Sequence, residues 1–321
     1  MVSHGEGPAG SAKPLSRRRW PHAAILGAIC VAILLGLFAK FPWDRVAVAA
    51  ASVPLAFIAL SFASEASTIL LKALRWVLLL GRAPGAARAY LVGQAVNQVA
   101  PTGTGEATRI YVGKARSGIP VKATLTAIVV ERVADTGLLV LVTALAAGVA
   151  LFPRSSWPVL VVPVAILSGA VAVLLRPSLL AALARLAARF RLPERPFREV
   201  QEAVEALRTR RTALGSVLFL TPVAWALEAG ALWVLLLGVG IPLPFATAFL
   251  YTCVAELVGA FSFLPGGIGA REWAIALLFS GEFGIQAAAA ALLFRLVATS
   301  SLAAGALGSL ATYPKTASAG A

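Results

Sequence analysis

Apolar positions run along this chain in long blocks, separated by short clusters of Pro, Gly, Arg and Lys. A block of about 20 apolar residues is long enough to cross a hydrocarbon layer as a helix. Residues 20–39 form the first block, opened by Trp20, and residues 46–71 return after a polar turn at Lys40, Asp44 and Arg45. No small-x-small site ends the first block and a second follows at once, so it reads as a span and not as a cleaved leader. Residues 124–151 and 157–175 make another pair around Phe152, Pro153 and Arg154. Residues 214–240 and 285–310 complete six expected spans.

Two stretches break this pattern. Residues 90–100 are too short to cross and end in Pro101-Thr-Gly103-Thr-Gly105-Glu106 before a basic run. Residues 245–264 lead into Pro265-Gly-Gly267-Ile-Gly269-Ala-Arg271-Glu272. Irregular backbone at membrane depth is tolerated only where protein or a cavity satisfies it, so both read as re-entrant broken elements, with Gly103 and Gly105 supplying the first turn. They share Pro-x-Gly-x-Gly, each followed closely by Glu and Arg. Glu131-Arg132 begins 26 residues after Gly105, and Arg295 lies 26 residues after Gly269. This pattern reads as an internal duplication. The charge bias of the loops places the two copies in opposite orientations, an inverted repeat of the kind transporters build around a central site.

Composition agrees: 59% of the 321 residues are hydrophobic and 13% charged, which excludes a water-soluble fold. The expected fold class is therefore an all-α, polytopic helical membrane protein. A disordered cytoplasmic segment (1–19), one membrane domain (20–313) and a short tail (314–321) make up the chain. The formal charge of +14 follows the positive-inside rule and does not call for nucleic acid. Basic residues crowd Lys13, Arg17, Arg18 and Arg19 and the stretches 72–88, 109–122 and 176–211, all expected on the cytoplasmic side. In 176–211, nine basic and four acidic residues interleave with apolar positions at helical spacing, the pattern of amphipathic helices lying on an anionic leaflet.

Metal and nucleophile chemistry find little support. His4 and His22 sit at the N-terminus, and Cys30 and Cys253 lie inside apolar blocks as packing residues. No catalytic residue, metal ligand or cofactor is expected, and no Walker-type glycine loop is present.

The ionisable residues inside apolar blocks carry the chemistry instead. Each costs roughly 2.5 to 3.5 kcal/mol at a helix centre, yet Glu65, Glu106, Glu131, Asp135, Glu228, Glu256 and Glu272 account for seven of the 14 acids. Arg109, Arg132, Arg271 and Arg295 accompany them. Sequence proximity suggests the pairs Arg132 with Asp135, Arg109 with Glu106, and Arg295 with Glu256 or Glu272. Glu65 and Glu228 have no evident partner and no assigned role. Arginines beside glycine-rich turns suit a phosphate, and the carboxylates suit a cationic headgroup or protons.

These residues resemble the transmembrane region of lysylphosphatidylglycerol synthases, a flippase-like family with stand-alone bacterial and archaeal members. The resemblance covers nearly the whole chain. It rests on Asn97, Pro101, Gly105, Glu106 and Arg109, then Glu131, Arg132 and Asp135, then Pro265, Gly267, Gly269 and Glu272. It implies a helical bundle moving aminoacylated phosphatidylglycerol, hopanoid or polyprenyl-phosphate-linked lipids across a bacterial or archaeal cytoplasmic membrane, with the N-terminus inside. Longer members carry a soluble aminoacyl-transferase domain. This chain stops at residue 321, so aminoacyl-lipid synthesis is not expected of it.

The leading expectation is a lipid flippase or scramblase whose partners are membrane lipids with anionic or zwitterionic headgroups. Arg109, Arg132 and Arg295 would hold the phosphate, balanced by Glu106, Glu131, Asp135 and Glu272. Two alternatives stand beside it. One is an intramembrane lipid- or glycosyl-transferase using Glu131 and Asp135 as base and electrostatic partner. The other is a scaffold subunit for a lipid-modifying synthase.

Overall fold

The computed structural model describes residues 42–100, 103–151, 211–262, 264–279 and 283–311, together with the helical residues Arg185 and Glu205. The N-terminal segment, the spans expected at 20–39 and 157–175, most of the basic segment 176–211, Pro101 and the tail at 314–321 lie outside the described residues. Among the described residues all regular structure is helical, with no strand.

Helix α1 (Trp43–Ala51) is followed by α2 (Leu55–Leu79), which corrects the single span expected at 46–71. The reason is Pro54, which has no amide proton to continue the ladder of α1 and instead stands at the N-cap of α2. Because α2 starts nine residues later than expected, it also runs further. Lys72 and Arg75 therefore lie within the helix instead of beyond its end, and Arg75 is buried.

Two 14-residue helices, α3 (Ala86–Val99) and α4 (Thr104–Ser117), form the first broken element, and α5 (Val121–Leu151) follows. Next come α6 (Arg211–Gly238) and α7 (Phe245–Phe261). A single 3-10 turn (Pro265–Gly267) then leads into α8 (Ala270–Leu278) and α9 (Gly284–Ala311). Among the described residues three helical stretches, Leu55–Leu79, Thr212–Gly238 and Gly284–Ala311, are long and apolar enough to cross a membrane, and Phe245–Phe261 is a shorter apolar helix.

The longest packing surface is between α2 and α6, while α9 touches α1, α2, α3, α6 and α8. Small side chains make that central position possible. Ala287, Ala288, Ala289, Ala290 and Ala291 are all buried, so neighbouring backbones approach closely, as helices in lipid require for dispersion contact.

Apolar packing falls into separate clusters along the α2–α6 pair. One joins Trp76, Leu79, Tyr90, Val130 and Val217; another joins Val53, Leu232, Leu235, Ile275 and Phe294. On α6, Thr221, Trp225 and Glu228 stand between the two clusters, close to the middle of the helix, with Trp225 also packed against Leu139 and Cys253. The charged layer of the protein thus lies between two apolar layers. Leu55, Leu70, Leu218, Phe219, Leu296 and Leu307 stay exposed, as expected of side chains that face lipid and not water.

Candidate functional site

The first broken element turns at Gly103, whose φ of 94° lies in the left-handed region open to glycine. Gly105, expected to share the turn, belongs to the first turn of α4. Its role is close approach. A Cβ there would strike the Asn97 side chain and the Gly93 carbonyl of α3. The Gly105 N–H donates to Asn97 Oδ1 at 2.9 Å, so one free amide of the helix start is already satisfied.

The second element uses three such glycines, Gly266, Gly267 and Gly269, at φ 56°, 65° and 83°. The Gly269 N–H donates to Glu272 Oε2 at 2.7 Å. Both elements therefore place a glycine at the N-cap and a glutamate three residues later, Glu106 in α4 and Glu272 in α8. An acid in a first helical turn also complements the helix dipole. Each glutamate then pairs with an arginine of the following long helix, Glu106 with Arg132 of α5 and Glu272 with Arg295 of α9. The duplication read from sequence thus recurs as paired contacts.

Other pairings differ from those suggested by sequence proximity. Asp135 does not meet Arg132. It receives both terminal nitrogens of Arg75, at 2.6 and 2.8 Å, and the Trp225 indole N–H at 3.1 Å. Arg109 does not meet Glu106. It donates to Glu131 Oε2 at 2.7 Å and to Gln94 Oε1 at 2.5 Å, with its guanidinium over the rings of Trp76 and Tyr90. Arg75 also lies 3.3 Å from Glu131, so Arg75, Glu131 and Arg109 form a continuous buried chain.

A second network surrounds Glu228, which sequence reading left without a partner. Lys72 Nζ bonds its Oε2 at 2.5 Å, and Arg271 approaches Oε1 at 3.6 Å while pairing with Glu256. Arg295 pairs with Glu272 at 2.6 Å, one of the two expected choices, and also donates to Gln98 Oε1 and the Gly266 carbonyl. Sequence reading missed Lys72, Arg75, Gln94, Gln98, Thr221 and Trp225. Gln94 and Gln98 were visible as amides at i and i+4, a common face, in a short helix.

Between the two broken elements lies a cavity of about 460 Å³. Gln94, Asn97, Gly103 and Glu106 line one side, Glu256, Gly266, Gly267 and Arg271 the other, with Arg132 from α5. A smaller, more enclosed chamber of about 190 Å³ adjoins it, sharing Gln94, Gln98, Arg132, Glu256 and Arg271. Glu131 and Asp135 border this chamber, while Arg109, Gly105, Pro265, Gly269, Glu272 and Arg295 line neither space.

The charges at the cavity are uneven in their freedom. The Arg132 side chain is 57% exposed although paired with Glu106, and Glu106 Oε2 is buried without a hydrogen-bond partner. The opening thus presents two arginines, Arg132 and Arg271, beside two carboxylates, Glu106 and Glu256. Such a set can receive an anionic group, a cationic group, or both in one zwitterion. Glu131 and Asp135, the candidate base and partner of a transferase, both accept bonds from guanidinium groups.

Comparison with known proteins gives a family match over residues 23–305, to the family described as the lysylphosphatidylglycerol synthase TM region. A UPF0104 membrane protein of Methanothermobacter thermautotrophicus is 33% identical over 88 residues, 27% of this chain and 26% of that relative. The matched stretch thus spans about a quarter of the relative's length.

Proposed function

Since the chain belongs to the family of the lysylphosphatidylglycerol synthase transmembrane region, we propose that it moves a phospholipid or lipid-linked substrate across the membrane, the headgroup passing through the cavity between the two broken elements. The observation that carries this reading is one cavity between two interrupted helices lined by both Arg132, whose side chain is 57% exposed, and Arg271. A volume of about 460 Å³ falls within the range of roughly 300 to 1,000 Å³ usual for ligand sites. It suits a headgroup, with acyl chains remaining in the surrounding lipid.

The headgroup phosphate is assigned to Arg132 and Arg271. Arg109 and Arg295, expected from sequence to share it, are occupied by buried or nearly buried carboxylates and line neither space. Glu106 and Glu256 balance the arginines when the cavity is empty. They exchange partners when a phosphate enters or a cationic headgroup approaches. The charge bias of the loops supports a cytoplasmic N-terminus, and the family's bacterial and archaeal members support the cytoplasmic membrane as its location.

The test is translocation by the purified chain in liposomes carrying a fluorescent, headgroup-labelled phospholipid, read as the fraction reached by an external quencher. Wild type accelerates exposure. Arg132→Ala, folded and incorporated equally, loses at least about tenfold in rate, the equivalent of 1.4 kcal/mol of binding. Wild-type transport by that variant removes Arg132 from the path. Absence of acceleration across phosphatidylglycerol, aminoacylated and polyprenyl-phosphate lipids overturns unaided translocation.

A further inference from the structure

Among the described residues, charge balance in the layer between the apolar clusters leaves one group over. Lys72, Arg75, Arg109, Arg132, Arg271 and Arg295 are matched by Glu106, Glu131, Asp135, Glu228, Glu256 and Glu272, six against six, each within ion-pair distance of a partner. Glu65 is a seventh carboxyl. It is 7% exposed, its Oε2 has no hydrogen-bond partner, and among the described residues no cation pairs with it.

Its position is not that of a packing residue. Glu65 lies on α2 seven residues before Lys72 and lines the enclosed chamber that adjoins the headgroup cavity. Around it the chamber carries Lys72 from α2, Tyr90 from α3, Glu131, Arg132 and Asp135 from α5, Glu228 from α6, Glu256 from α7 and Arg271 from α8. From α9 it carries only Ala298 and Leu302. A seventh carboxylate here would be an uncompensated charge in a low-dielectric site, which is avoided by holding a proton.

We infer that Glu65 is a proton-binding site whose occupancy is linked to headgroup binding in the adjoining cavity. This rests on the proposed translocation reading. Glu65 Oε2 takes a proton from water or a buffer acid that reaches the chamber and returns it the same way, with no electron transfer and no leaving group. The link runs through Arg271, which borders both spaces. An anionic headgroup on Arg271 offsets the positive charge that Glu65 experiences, so phosphate and proton reinforce each other. By reciprocity, a proton on Glu65 strengthens binding of the headgroup. The protein would then carry a proton together with an anionic lipid, and a proton gradient could drive the movement.

Two measurements on the full chain test this separately from translocation. Short-chain phosphatidylglycerol is added to detergent-solubilised protein in a weakly buffered medium, with binding followed by calorimetry and proton uptake by a pH dye. The titration is repeated over a series of pH values: wild type takes up protons on binding at those where the empty site has begun to ionise, and Glu65→Gln, which preserves shape, binds without uptake at any of them. Binding to wild type without uptake at every pH overturns the linkage.

In the second, wild type is treated with dicyclohexylcarbodiimide, which attacks protonated carboxyls in apolar surroundings, and the peptide containing Glu65 is examined by mass spectrometry. Labelling at Glu65 that falls with rising pH supports the site and needs no variant to fold. Absence of labelling at every pH overturns it. If no lipid binds, the translocation reading fails while the labelling result still decides the proton site.

Discussion

The two broken elements share one plan and differ in how tightly it is closed. In both, a glycine opens a helix, a glutamate follows three residues later, and an arginine of the next long helix reaches that glutamate. In the second, Arg295 is 15% exposed and is also held by Gln98 and the Gly266 carbonyl. In the first, Arg132 is 57% exposed, and the pair faces the cavity. On the proposed translocation reading, one copy of the duplicated unit is a latch and the other a receptor. The lesson is that duplication supplies matching charges, while the extra partners on one copy decide which remain available to a ligand.

The sharpest way to break this comparison is to delete the arginine from each copy. Arg295→Ala leaves Glu272 mostly buried without its cation and removes the donor for Gln98 and Gly266. Loss of one partner from such a pair costs about 3 to 5 kcal/mol, so thermal unfolding followed by tryptophan fluorescence shifts markedly downward. Arg132→Ala also strips the cation from a mostly buried carboxylate, Glu106, but removes a side chain that is itself 57% exposed and, among the described residues, bonds no second element. Its unfolding curve shifts less than that of Arg295→Ala while translocation falls. Equal destabilisation by the two variants would dissolve the distinction between latch and receptor.

A smaller contrast lies in the turns. Gly266 combines a φ of 56° with direct packing against α3, where a Cβ would come 2.8 Å from the Gln98 carbonyl oxygen. Gly103 has a φ of 94° but open space around its Cβ position. Gly103→Ala therefore carries only the conformational cost of about 1 to 2 kcal/mol, whereas Gly266→Ala adds a clash that must push the turn off α3. Unfolding midpoints should rank wild type, then Gly103→Ala, then Gly266→Ala. The reverse order would place the tighter turn in the first element.

Much of the fold was legible because it depends on local pattern. The last span expected at 285–310 is found as Gly284–Ala311, and both Pro-Gly interruptions lie between helices. The site was less legible because its contacts depend on tertiary geometry. Arg132 and Asp135 stand three residues apart and looked like partners. Asp135 instead faces Arg75 of α2, where two parallel bonds in a buried setting outweigh a local pairing. Arg75 and Lys72 were placed beyond the helix for a related reason: hydropathy runs smoothly through Pro54, so the expected span began and ended too early. Glu228 found its partner only when α2 and α6 were packed together.

The mildest probe of the comparison is Asn97, which does in the first element what Glu272 does in the second. Asn97 Oδ1 accepts the Gly105 N–H at 2.9 Å, and its Nδ2 reaches Glu106 at 3.4 Å. Asn97→Ala removes a neutral hydrogen bond worth about 1 kcal/mol but leaves Gly105 room for the α3–α4 crossing. Asn97→Asp keeps the acceptor while placing a negative charge beside Glu106, which binds Arg132 to a more acidic wall of the cavity. If the first element is the receptor, Asn97→Ala produces a small stability loss with translocation largely retained. Asn97→Asp then slows anionic lipids more than zwitterionic ones in the liposome assay. Equal slowing of both lipid classes would mean that Asn97 matters only as a brace for the turn, and that the cavity's charge is not sensed at this position.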